Sequence, residues 1–151
     1  YIIKRPLMKN YISTFSKSLV TFADSHLMLD EIKFVESEAH LDNMVFDRKT
    51  MLVMIQSADI DNEDGRPVYD VEYLIGVVDK AASGMYGKSS SIEESLFVIS
   101  QLQDYLQQEG WQVIFGTIDV KPDWDNSGEL TALLGSVTAQ FGRGVSNELS
   151  F

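Results

Sequence analysis

The sequence predicts an α+β domain: a mainly antiparallel sheet of four to five strands with two helices packed on one face. Three observations point there. Apolar residues recur every three or four positions in two stretches, several other stretches are apolar runs of strand length, and turn-forming residues separate neighbouring runs. At 151 residues the chain fits a single domain, 1–151, around one core.

From Met8 to Ala23 the apolar side chains of Met8, Ile12, Phe15, Leu19 and Phe22 make the stripe of an amphipathic helix, with Ser13, Thr14, Lys17 and Thr21 turned to water. Asp24 to Leu29 leaves this helix. Glu31 to Glu36 alternates as a short strand with Ile32 and Phe34 inward. Residues 37–49 allow one or two helical turns through Leu41, Met44 and Val45. Met51 to Ser57 is a continuous apolar run and reads as a strand covered on both faces, and Val68 to Asp79 is a second, longer strand. Between them, Asp59 to Pro67 has hairpin-loop chemistry, with Asp64-Gly65 and Pro67 as punctuation and acidic residues holding the tip in water.

Ala81 to Ser91 reads as a small-residue loop leading into a helix from Ile92 to Gln108. Ser90 with Glu93, or Ser91 with Glu94, has capping-box spacing at its start, and Gly110 stops it. Leu96, Ile99, Leu102 and Leu106 form its predicted buried stripe, with Val98 and Tyr105 at the margins. Trp111 to Val120 alternates as a strand, Lys121 to Glu129 is a loop broken by Pro122 and Gly128, and Leu133 to Phe141 is the last strand. There Val137, Ala139 and Phe141 face one way and Ser136, Thr138 and Gln140 the other. Both strand pairs are expected to be antiparallel hairpins.

Composition narrows function. A formal charge of −11 and a sequence pI near 4.4 argue against tight binding to DNA, which needs clustered Lys and Arg to displace counterions. The same acidity suits a wall that DNA slides past as cargo. With no cysteine and only His26 and His40, thiol chemistry is excluded and most metal sites lose their usual ligand. No cofactor is expected. No apolar run approaches the roughly 20 residues of a membrane-spanning helix, so a soluble chain is expected. Tyr1 to Leu7 reads as a flexible arm, not a signal peptide.

Two motifs invite chemistry. Ala82-Ser83-Gly84-Met85-Tyr86-Gly87-Lys88-Ser89 fits a permissive phosphate-loop pattern between a strand and a helix, which would make the chain a small nucleotide-binding protein with Asp119 as a second metal-holding acid. Against it, Asp79 and Lys80 separate strand from loop, the capping boxes start the helix after Lys88, and a nucleotide fold needs a parallel sheet. Asp123-Trp124-Asp125-Asn126-Ser127-Gly128 resembles half a calcium loop, but the closing Glu position holds Leu134. Aligning Gly65 as a calcium-loop turn puts Ile60 in the first ligand position, so Asp59 to Gly65 fails as well. His26 and His40 each read as a surface or partly buried histidine and not as a catalyst. Trp111 is expected in the core, whereas Trp124, in a polar loop, is a candidate contact anchor of the kind enriched at interface hot spots.

The order of elements resembles small tail-completion or head-tail connector (neck) proteins of tailed bacteriophages. The resemblance runs through the leading helix, the extended Asp30-Glu31-Ile32-Lys33-Phe34, the strand Met51-Leu52-Val53-Met54-Ile55, a strand ending Val77-Val78-Asp79, the helix to Gln108 and a final strand pair with Trp124 and Gly135 in and after its loop. It covers most of residues 8–145 by layout and spacing, without a diagnostic motif. The loop at 59–67 is longer than the family's pattern, and Tyr1 to Leu7 has no counterpart in it. The resemblance implies a structural virion protein forming a homo-oligomeric ring, with other phage neck, portal or tail proteins as neighbours and no catalytic residue. Loops 59–67, 81–91 and 122–129 are then the expected contact regions, with Asp61, Glu63, Asp64, Tyr86, Trp124 and Asp125 as interaction candidates.

Overall fold

The computed structural model describes residues 10–81, 84–125 and 128–142. Its elements in chain order are α1 (Tyr11–Ser25), β1 (Glu31–Phe34), α2 (Glu38–Asp42), β2 (Thr50–Glu63), β3 (Arg66–Lys80), α3 (Gly84–Gln108), β4 (Gln112–Lys121) and β5 (Leu130–Phe141). The strands form one sheet in the order β1-β2-β3-β5-β4. Every neighbouring pair is antiparallel except β1 with β2. The α+β class and the mainly antiparallel five-stranded sheet therefore hold.

One face of the sheet carries α1 and α3. Phe15, Leu19 and Phe22 of α1 and Val98, Ile99, Leu102 and Leu106 of α3 close over Met51, Val53, Val71, Tyr73, Val77, Leu133 and Phe141. Aromatic rings concentrate there: Phe15 lies 5.0 Å from Tyr73 and 5.2 Å from Trp111, centroid to centroid, and Tyr11 stacks on Phe141 at 5.7 Å. Such edge and offset contacts add stabilisation beyond area burial. Trp111 is buried, as expected, and its indole N–H donates to the Ser18 hydroxyl at 3.1 Å. On the other face a smaller cluster gathers Val35, Leu41, Phe46, Leu52, Met54, Val78, Leu130 and Leu134, covered by α2 and the chain around it. Two helices on one face thus becomes two on one face and a short third on the other.

Several boundaries differ from expectation. The first helix begins at Tyr11, and Met8 lies outside the described residues. The stretch 59–67 is mostly strand: β2 runs to Glu63 and β3 starts at Arg66, leaving Asp64 and Gly65, both with positive φ, as the turn. The last two strands lengthen likewise, to Lys121 and back to Leu130. Only Thr50 to Met54 of β2 is buried on both faces, because β1 pairs no further than Val53 and the rest of β2 is solvated. Phe34, expected inward, is 43% exposed at the end of that short strand.

Helix α3 starts at Gly84, eight residues before the expected Ile92, so the capping boxes at Ser90 and Ser91 are helix interior. Its buried stripe is Ser91, Ser95, Val98, Ile99, Leu102 and Leu106, and Leu96 points outward. Two small serines, Ser91 and Ser95, fill the buried stripe in the first half of the helix. Ala82 and Ser83 lie outside the described residues, and Gly84 to Ser89 is helix. From Lys88 onward the backbone N–H groups are taken by helical carbonyls and are not presented to phosphate. Gly110, with φ 89°, ends the helix as expected.

Strands β3 and β4 run the same way with β5 between them, so β3-α3-β4 is a crossover and only β2-β3 and β4-β5 are hairpins. Central β3 packs against β5 so tightly at Gly76 that an added Cβ would lie 2.2 Å from the Leu133 carbonyl oxygen.

Candidate functional site

The sheet has two ends. At the first lie the start of β2, the ends of β3 and β4, the starts of β5 and α3, and the neighbouring residues 122–125 and 128–129. Here Lys49, only 8% exposed, sets its ammonium 3.1 Å from the Glu94 carboxylate and 3.7 Å from that of Asp79. The Ser91 hydroxyl donates to Asp79 at 2.7 Å and lies 2.7 Å from the Thr131 hydroxyl. The backbone N–H of Lys49 donates to Asp30, and Thr50 donates through its hydroxyl to Glu31. A buried cation would be costly alone; ringed by two carboxylates it ties β2, β3, β5 and α3 together. Ser91 and Thr131 are buried, and the Asp79 carboxylate is shared with Lys49, so this cluster is a clasp in the fold.

Beside it opens a cleft of about 600 Å³ lined by Leu41, Phe46, Lys80, Lys121, Trp124 and Asp125, among others. Trp124 is half-buried against the smaller core cluster, its backbone N–H donating to the Leu130 carbonyl at 2.9 Å. It is part of the cleft wall and not the fully exposed ring that its polar loop suggests. The carboxylate of Asp123 accepts from the Gly128 N–H at 3.0 Å, which spends this first residue of the half calcium loop on closing its own turn. Tyr86, 94% exposed in the first turn of α3, belongs to the same end. Asp61, Glu63 and Asp64 sit at the opposite end, at the tip of the β2-β3 hairpin. The interaction candidates therefore fall into two groups at opposite ends of the sheet.

Sequence reasoning missed the Lys49 clasp, whose members are scattered from Asp30 to Thr131 and signal nothing by spacing. It also missed a second cavity, of about 320 Å³, at the step where β1 ends beside β2. Ser16, Phe34, Glu36, Val53, Ile55 and Tyr73 line it. Tyr73 is fully buried, its hydroxyl has no hydrogen-bond partner among the described residues, and burial pushes its pKa well above the ordinary phenol value.

Both histidines are local fasteners. His26 Nδ1 accepts from the Met28 N–H at 3.1 Å, which leaves Nε2 as the donor to Gln101 Oε1 at 2.5 Å, linking the end of α1 to α3. His40 Nδ1 accepts from the Glu36 N–H, while its own backbone N–H bonds the Ser37 hydroxyl that caps α2. Among the described residues no group of three His, Asp or Glu is placed to hold a metal ion, and no helix is long and apolar enough to cross a membrane. No protein-family model matches the chain, and no curated protein matches it.

Proposed function

We propose that the chain is a structural protein of a tailed-bacteriophage virion, with copies joined head to tail into a ring at the head-tail connector or upper tail. The reading draws on the likeness in element order. The observation that carries it is the presence of exposed apolar side chains at both ends of one sheet: Val45, Met85 and Tyr86 at the clasp end, and Ile60 toward the tip of the β2-β3 hairpin. A ring component stacked between other rings needs two different contact surfaces as well as the heterologous contact that closes the ring. Other neck, portal or tail proteins are the neighbours on this reading, and the charge of −11 lets DNA pass without adhering.

Light scattering of the native protein, with and without Mg-ATP, tests it. A closed ring whose mass ignores nucleotide supports the connector. A monomer whose mass or thermal stability shifts with Mg-ATP, and no longer does so in Lys88→Ala, overturns it in favour of nucleotide binding.

A further inference from the structure

The outer lane of β2 is the least ordinary surface of the molecule. β1 pairs with Thr50 to Val53 only, and the Val35 N–H reaches the Val53 carbonyl before the chain turns away toward α2. Beyond that point no other strand among the described residues lies along β2 on this side. Residues 55–62 are all exposed. A long open edge presents unpaired N–H and C=O groups, a template for an added strand.

The two faces of this lane differ. Ile55, Ala58 and Ile60 lie opposite Tyr73, Val71 and Tyr69 and share their face, while Ser57, Asp59 and Asp61 lie opposite Glu72, Asp70 and Val68 on the other. One side of the edge is therefore apolar and the other acidic. The apolar side leads into the 320 Å³ cavity, which Phe34, Val53 and Ile55 line.

We propose that the edge Ile55 to Asn62 accepts an extended segment of another protein in which apolar and basic residues alternate. It adds a strand in the lane that β1 vacates. Its basic side chains meet Asp59 and Asp61, and one apolar side chain enters the cavity beside Ile55 and Phe34. The acidic face sets the choice of partner: two copies of this edge would bring Asp59 and Asp61 together and repel, whereas a basic strand is attracted. The inference does not depend on whether copies close into a ring.

The probe is the peptide acetyl-Lys-Val-Lys-Tyr-Lys-Val-Lys-amide, followed by amide hydrogen exchange of the intact protein. The expected result is slowed exchange confined to residues 55–62 and neighbouring β1, with affinity about tenfold weaker for the Asp59→Lys/Asp61→Lys variant. Replacing the peptide's Tyr by Ser should weaken binding, because the cavity beside Ile55 and Phe34 loses its apolar occupant. Circular dichroism of the Asp59→Lys/Asp61→Lys variant separates loss of binding from loss of fold. Equal protection by the all-Glu counterpart, or no protection at 55–62 by the Lys peptide, overturns the proposal. So does protection of this edge that grows with protein concentration alone, which would make the occupant a second copy.

Discussion

The two ends of the sheet are built on opposite principles. At the clasp end the start of β2, the end of β3 and the start of β5 are tied to one another and to α3: Lys49 to Asp79 and Glu94, Ser91 to Asp79 and Thr131, the Ala81 N–H to the Glu129 carbonyl at 2.8 Å. At the hairpin end β2 runs about ten residues past its last partner in β1, with charge and open backbone along its outer side. The first arrangement spends polar side chains on holding the fold; the second leaves them facing solvent. A protein that must keep its own shape while presenting a contact edge needs both, and the separation lets one change without disturbing the other.

The comparison breaks first at Gly76, in the strand shared by both ends. Gly76→Ala forces a methyl group into the Leu133 backbone and is expected to cost about 3 kcal/mol, measured by urea unfolding; a loss below about 1 kcal/mol would mean that β3 and β5 can separate cheaply. Next is the clasp. Lys49→Ala leaves Asp79 largely buried without its cation and should destabilise by about 2 kcal/mol, discounted because Glu94 is half exposed; an unchanged unfolding midpoint would show that the clasp is ornamental.

Tyr73 sharpens the contrast from the other side. Removing a hydroxyl that has no partner, Tyr73→Phe should be neutral or stabilising by up to about 1 kcal/mol. Because desolvation raises the folded-state pKa, Tyr73 makes no pH-dependent difference below the unfolded phenol's pKa, and stability is lost as pH rises above it toward the folded value, where only the unfolded chain readily ionises. Wild type should thus lose stability above about pH 10, and Tyr73→Phe should lose less of it, as read from thermal melts across that range. The smallest effect belongs to the open edge: Ile60→Ser, at a 76% exposed position, should change stability by less than about 0.5 kcal/mol. If the ring reading holds, the same substitution should lower the assembled mass in light scattering.

Periodicity made the core legible. Phe15, Leu19 and Phe22, then Ile99, Leu102 and Leu106, then Val137, Ala139 and Phe141 all face inward as their spacing predicts. It erred where packing overrides pattern. Leu96 is 41% exposed while its neighbour Ser95 is fully buried, so the inward stripe in this half of α3 runs through small polar residues that the apolar pattern does not mark. The acidic stretch 59–63 read as loop because Asp and Asn are poor strand formers, yet long antiparallel pairing with β3 holds it extended. Neither the Lys49 clasp nor the Tyr73 cavity was visible, as each is assembled from residues brought together only by the fold. The insertion of β5 between β3 and β4 was likewise beyond local reading, because no short-range signal says which edge a final strand will choose.

That insertion has a consequence for biogenesis. A ribosome delivers β3, α3 and β4 before Leu130 exists, so the nascent sheet waits with a strand-wide gap at its centre. Until the final strand fills the slot, the facing edges of β3 and β4 stay open to wrong partners, and the molecule is most vulnerable to misassembly late in its synthesis. Premature termination anywhere before residue 130 should therefore give not a trimmed domain but an insoluble one.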